Sequence, residues 1–141
     1  MKLLLDTNIY LELFLKRENY LLIKKLFFLF YRNNHETYIT TQSLRDIEFI
    51  LRRQLHDYKI AKLLQHKAYE ITSKVISIIN DTAIDALFSD FADYEDALQS
   101  FAAEESNIDA IITLNKKDYL NSNIPTFTPQ EILNYISKQN Q

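Results

Sequence analysis

Short β-prone apolar runs alternate with longer stretches of helical periodicity along this chain, and no other feature constrains its fold as much. LLL at Leu3–Leu5, TYIT at Thr37–Thr40, VISII at Val75–Ile79, AIIT at Ala110–Thr113 and a brief TFT piece at Thr126–Thr128 read as strands. Between them Asn8 to about Lys16, Asn19–Arg32, Ser43–Arg53, Tyr58–Ser73, Asp81–Ser89 and Tyr94–Glu105 read as helices. Ser43 or Thr41 stands near the cap of the third of these. A last helix starts at Pro129, where proline suits the first turn. Strands that alternate with helices make a parallel sheet covered by helices. The expectation is therefore an α/β chain with a parallel, helix-covered central sheet. At 141 residues it forms one domain spanning 1–141.

Two absences narrow the chemistry. The chain has no glycine, so neither a P-loop nor a glycine-rich dinucleotide fingerprint exists in it. Any phosphate chemistry must use side chains, helix ends or a metal. It has no cysteine, which removes disulfides, thiolate metal sites and cysteine nucleophiles and suits a reducing compartment. Three leucines after Lys2 make no signal peptide. The most apolar stretch, YLLIKKLFFLFY, is interrupted by Lys24 and Lys25 and is too short to span a bilayer. A soluble cytoplasmic protein with no membrane partner is expected.

Ligands of parallel sheets bind beyond the carboxyl ends of the strands. Asp6 stands just past the first strand, in LLLDTN, and Asn115 just past AIIT. A carboxylate at a strand end also caps the helix that follows it. The remaining acids give Asp6 a second meaning. Asp46 follows the TYIT strand, three residues after Ser43 and on the same helical face. Asp93 and Asp96 stand three apart in DYEDAL, and Asn115 and Asp118 three apart in TLNKKDY. Asp93 fits a helix start favoured by the dipole, which explains Asp96 less well because it lies deeper. Carboxylates gathered at one sheet edge repel one another unless a cation neutralises them. Oxygen-only ligands select a hard ion, Mg²⁺ or Mn²⁺, rather than zinc. Such ions clamp phosphoryl oxygens, and a pair about 4 Å apart suits in-line phosphodiester cleavage.

LLLDTNIYLEL, TTQSLRDIEFILR, DYEDALQSFAAEESNIDAIITLNKKDY and the closing IPTFTPQEIL together resemble the PIN domain family, in its small bacterial VapC-like branch. The likeness spans nearly the whole chain, and the motifs keep the family order. It implies a three-layer α/β/α PIN-like (Rossmann-like) fold with a mostly parallel central sheet, and a Mg²⁺- or Mn²⁺-dependent endoribonuclease, acting as a toxin held by an antitoxin. Residue by residue, it implies Asp6, Asp46, Asp96 and Asp118 as catalytic metal-binding acids, with Asp93 as a further ligand. Thr7, Asn8, Ser43, Thr113 and Asn115 support the site. Many members carry Asp where this chain has Asn115, so the fourth ligand rests on Asp118. Asp46 and Glu48 compete for the second position. Two residues turn a helix by about 200°, so both cannot face the site, and the motif favours Asp46. Glu48 then pairs with Arg45 or Arg52.

The charge distribution bears on partners. Lys16–Lys74 holds 12 Lys or Arg against 6 Asp or Glu, whereas Asp81–Asp109 holds nine acids and no base. This reads either as ordinary solvated helix faces or as a basic surface beside an acidic pocket, fit to hold RNA at one and cut it at the other. Lys116 and Lys117 stand nearest the inferred site. LFFLFY at 26–31 is apolar all round its helix, so a homodimer is expected, with an antitoxin helix in a groove or burial within the monomer as alternatives. His35, His56 and His66 show no ligand spacing. Two further readings compete: a catalytically weak module that binds RNA or protein, and a haloacid-dehalogenase-type phosphatase. The second needs an acid where Asn8 stands.

Overall fold

Three consecutive leucines of one strand can all be buried only where the sheet is covered on both faces, and Leu3, Leu4 and Leu5 are fully buried. The computed structural model describes residues 1–141. Strand β1 (Lys2–Leu5) is followed by α1 (Thr7–Phe14) and α2 (Tyr20–Arg32). Then come β2 (Glu36–Thr40), α3 (Thr41–Leu55), α4 (Tyr58–Glu70) and β3 (Lys74–Ile76). The chain continues with α5 (Asn80–Leu87), α6 (Tyr94–Glu105), β4 (Ala110–Ile112), a 3₁₀ turn (Lys116–Tyr119), β5 (Thr126–Phe127) and α7 (Pro129–Gln139). The five strands are all parallel in the order β3-β2-β1-β4-β5.

Alternation along β1 splits the core. Leu3 and Leu5 pack with Ile39, Ala110 and Ile112 against α1, α2, α3, α4 and α7, through residues such as Ile9, Ile23, Leu26, Ile47, Leu51, Ala61 and Ile132. Leu4 points the other way, with Tyr38, Ile76 and Ile111, onto Ala102, Ala103, Ile108 and Tyr119. Each buried leucine contributes about 1.5–3 kcal/mol relative to exposure. Register then decides what meets at the carboxyl edge. Leu4 pairs with Tyr38, and Leu5 with Ile112. Two residues on from Leu4 and one on from Leu5, Asp6 stands level with Thr40 and Thr113.

Several element ends differ from expectation. VISII is strand only to Ile76, because β3 is an edge strand paired with β2 alone, and β2 ends at Thr40. Beyond that point Ser77–Ile79 has no ladder partner. The cap of α3 is Thr40, whose Oγ1 accepts from the Ser43 amide at 3.0 Å. Thr41 and Ser43 lie inside the helix. The 3₁₀ turn was not foreseen. Without glycine, the helix ends use other residues in left-handed conformation: Lys16, Asn34, His56 and Asn107, at φ 49°, 56°, 53° and 54°. No helix is long and apolar enough to cross a membrane.

Candidate active site

The end of β1 makes the site. Asp6 is buried, and its side chain takes the first helical amide of α1, Thr7 N–H, at 2.8 Å. Its other oxygen accepts from Thr113 Oγ1 at 2.8 Å, across the β1–β4 pair. Thr113 also accepts from the Asn115 amide at 3.1 Å and from Asn8 Nδ2 at 3.3 Å. Asn8 closes the loop by accepting the Leu114 amide at 3.3 Å. Asp6 therefore does cap α1, and it is at the same time clamped to the neighbouring strand end.

A second network ties the other elements to this point. Gln99 of α6 is buried and accepts from Thr40 Oγ1 at 2.6 Å. It donates to Ser43 Oγ at 2.8 Å and, more weakly, to Asp6 at 3.4 Å. Ser43 also bonds Thr7 Oγ1 at 2.8 Å. On α3, one turn from the cap, Asp46 receives Gln42 Nε2 at 3.1 and 3.2 Å and Arg45 Nη1 at 3.1 Å. Beneath Asp6 the donors are thus neutral groups spent on one another and on Asp6, whereas Asp46 takes an amide and a guanidinium.

Seven of the residues singled out in the sequence, Asp6, Thr7, Asn8, Asp46, Asp96, Asn115 and Asp118, line one cleft of about 180 Å³. Leu11, Gln42, Ile50, Glu95 and Gln99 complete it. Ser43 and Thr113 are buried beneath it. The others lie elsewhere. Asp93 caps α6 by accepting the Glu95 and Asp96 amides. Glu48 pairs with Arg52 at 3.5 Å, away from the cleft. Lys116 pairs with Glu131 at 3.0 Å, and Lys117 is exposed outside the lining. Larger cavities exist. The largest, about 720 Å³ between α2 and the start of β2, gathers aromatics and scattered polar groups but no carboxylate cluster.

Electrostatics mark this cleft. Burial pushes the Asp6 carboxyl up, held back by its bonds from Thr113, Gln99 and Thr7. Burial, then the charges of Asp6, Asp93 and Asp118, push Asp96 up to about 7. Glu95 is raised by burial and then by Asp46 and Asp93. Of the cleft acids only Asp46 has a basic partner within ion-pair distance. Beneath them lies Tyr119, whose buried hydroxyl is the one buried side-chain polar atom without a hydrogen-bond partner. It neighbours Asp6 and Asp96 closely enough for each to shift the other, without reaching ordinary bonding geometry.

This donor set fits a hard divalent ion. It offers carboxylate, amide and hydroxyl oxygens, an excess of negative charge, and an orphan phenol that could brace a carboxylate. As they stand, no three acidic side chains converge closely enough to ligate one ion. Wider spacing is what like charges adopt without a countercharge between them.

Sequence reasoning missed Gln42, Arg45, Glu95, Gln99 and Tyr119. Gln99 carried only a weak signal, its place three residues after Asp96 on the same helical face. Tyr119 carried none, because its burial depends on the unforeseen 3₁₀ turn.

Comparison with known proteins follows this geometry. Solved structures with the same fold include VapBC2 from Rickettsia felis bound to a DNA fragment from its promoter, at TM-score 0.70 and 14% identity, covering 91% of this chain and 98% of that one. A toxin–antitoxin complex from Klebsiella pneumoniae is similar at TM-score 0.63 and 22% identity, covering 89% and 96%. No curated protein matches significantly. The family model for the PIN domain matches residues 2–117, the span that carries β1 to β4, Asp6, Asp46 and Asp96. The chain belongs to the PIN domain family.

Proposed function

We propose that the protein is a Mg²⁺- or Mn²⁺-dependent endoribonuclease that hydrolyses RNA phosphodiester bonds, working as the toxin of a toxin–antitoxin pair. The observation that carries this reading is the cleft itself. Asp6, Asp46, Asp96 and Asp118 line one opening at the carboxyl edge of a parallel sheet, and only Asp46 has a basic partner. These four acids would hold the ion, with Glu95 as a fifth candidate from the same rim. A divalent ion so held clamps phosphoryl oxygens and activates water at neutral pH. Thr113 and Thr7 fix Asp6, Gln42 steadies Asp46, and Gln99 locks α6 to α3 so that Asp96 keeps its place. Asn8 and Asn115 present amide groups at the mouth, where a phosphate would lie.

Incubating a mixed RNA pool with the protein and Mn²⁺, with and without chelator, tests this directly. Cleavage is expected only with the metal, and undiminished cleavage in excess chelator would reject the reading. One observation favours a second reading. Asn115 stands where many relatives carry a carboxylate, as in a binding module of weak activity. Mn²⁺-dependent thermal stabilisation separates the two, since an inactive module without an ion site shows none.

Partner surfaces are proposed on the same footing. The structural neighbours are toxin–antitoxin complexes, which supports an antitoxin for this chain. A groove of about 410 Å³ lined by Leu13, Phe14, Phe27, Leu64 and Ile71 has Lys16, Lys24 and Lys67 on its rim, chemistry suited to an acidic amphipathic segment. On the outer side of α2, Leu21, Phe28 and Tyr31 are exposed, the last at 85%. That face suits a second copy. Sedimentation at high micromolar concentration should show a dimer, and a monomer there removes the dimer proposal.

A further inference from the structure

Helix α3 brings Asp46 to the cleft, and it also carries three of the five arginines in the chain, Arg45, Arg52 and Arg53. All three place their guanidinium carbons around one ring, that of Phe49, at 5.9, 6.0 and 5.6 Å from its centre. The ring is 38% exposed. Three guanidiniums around one ring repel one another, and only two carboxylates answer them. Arg45 pairs with Asp46 and Arg52 with Glu48, while Arg53 has no acidic partner. Gln42, Asp46, Phe49 and Arg53 follow one another at spacings of four, three and four, which makes one stripe along the helix. The first two line the cleft, and the stripe leads about 10 Å from Asp46 out to Arg53.

We propose that Arg45, Phe49 and Arg53 form the track by which an unpaired RNA strand enters the cleft, with one base stacked on Phe49. Arg45 passes from Asp46 to the strand when a divalent cation takes Asp46. The proposal rests on the nuclease reading above. A charged groove with an aromatic platform is the usual way to hold single strands, because every base has a face to stack and every linkage a charge. A paired base has no free face, so the track selects unpaired RNA. Arg45 is suited to the exchange. Its side chain is 68% exposed and free to swing, and without a cation its charge and Gln42 satisfy Asp46. The guanidinium and the cation therefore do not have to share one carboxylate; the arginine that guards it moves on to a phosphate.

Three variants test the track without relying on turnover. Strand binding is read by anisotropy of a labelled short oligouridylate in chelator, against an RNA duplex of equal length and an oligoglutamate peptide. Phe49→Leu should weaken oligouridylate binding by about five- to a hundredfold, as loss of one base stack does, and leave the duplex unchanged. Arg53→Ala should flatten the salt dependence of oligouridylate binding by about 0.7 in slope, one phosphate contact. Arg45→Ala should lower the midpoint of Mn²⁺ binding, titrated by calorimetry, about two- to fivefold, because the ion no longer displaces a guanidinium. Unchanged oligouridylate binding in both Phe49→Leu and Arg53→Ala overturns the track. So does an equal loss on strand and duplex in Phe49→Leu, or a wild type that prefers oligoglutamate, which would make this a protein-docking surface. An unchanged Mn²⁺ midpoint in Arg45→Ala overturns the exchange. If the wild type neither takes up Mn²⁺ nor cuts RNA, the nuclease reading fails instead, and the chelator measurements still judge the track.

Discussion

The two ends of the sheet treat acids in opposite ways. At the amino edge, Glu36 starts β2 and is held below the usual carboxylate range, first by the Tyr38 hydroxyl and then by Lys74, which pairs with it at 3.2 Å. Asp109 there accepts the Lys2 amide at 2.7 Å. At the carboxyl edge, Asp6, Glu95 and Asp96 are all pushed upward, chiefly by burial. The tyrosines repeat the contrast. Tyr38 donates to Glu36, whereas Tyr119 lies beside Asp6 and Asp96 with its hydroxyl unbonded. Acids that serve the fold are supplied with partners by the chain. Asp6, Glu95, Asp96 and Asp118 are left without a basic partner, the pattern that marks candidate functional acids.

The largest break in this comparison is expected at the carboxyl edge. Asp96→Asn and Asp46→Asn should each lower Mn²⁺-dependent RNA cleavage by more than about a hundredfold while the protein stays folded. Glu36→Gln and Glu48→Gln should leave the rate nearly intact. Activity within a few-fold of wild type in Asp96→Asn would remove it from the ion site. Activity lost in Glu48→Gln but kept in Asp46→Asn would put the wrong acid of α3 in the cleft.

Stability against pH sharpens the contrast next. In chelator, folded Asp96 keeps its proton up to about pH 7, while the unfolded chain releases it near 3.8. The folded state binds more protons across that window, so this group makes stability fall as pH rises through it. Glu36 has the opposite sign, and its contribution fades as pH drops below its ordinary value of 4.5. Thermal midpoints at pH 5 and 7.5 should show Asp96→Asn gaining on wild type as pH rises, with the larger margin at pH 7.5. Added Mn²⁺ should raise the wild-type midpoint more at pH 7.5 than at pH 5. An equal Mn²⁺ shift at both would separate the ion from these carboxylates.

Tyr119→Phe is expected to be smaller and of mixed sign. Removing an unsatisfied buried hydroxyl should stabilise the metal-free protein by about 1 kcal/mol in denaturant titration. If the phenol braces a carboxylate once the ion binds, the same variant should shrink the Mn²⁺-induced shift. A variant less stable without metal would mean that the hydroxyl is bonded after all. Smallest is His56→Gly at the end of α3. It should gain about 0.5–1 kcal/mol, because φ 53° suits glycine and strains histidine.

How much of this the sequence disclosed depended on whether the signal was local. The strand–helix alternation carried the parallel sheet, because periodicity and β-branching are set residue by residue. Asp6, Asp46, Asp96 and Asp118 were legible through spacing and through family motifs that keep their order. The length of β3 was not, since it depends on where its neighbour β2 ends. Gln99 was overlooked because a glutamine in a helix is ordinary until Thr40, Ser43 and Asp6 are known to surround it. Lys116 and Lys117 looked well placed by number alone, yet Lys116 turns to Glu131 in the last helix. The arginines of α3 count toward a basic segment, and helical spacings of three and four set them around Phe49, a pattern easily passed over until the ring is seen to be exposed.

The bond between Thr113 and Asp6 joins residues 107 apart in the chain. A ribosome adding about 5–20 residues per second needs some 5–20 s between making one and making the other. Through that interval β1 already exists, but Asp6 has no clamp from Thr113, β2 and α6 are made one after the other, and Asp118 is still to come. The residues that line the cleft run from Asp6 to Asp118, so the cleft is assembled only after Asp118 has been synthesised, and until then its acids belong to separate, unjoined parts of the fold.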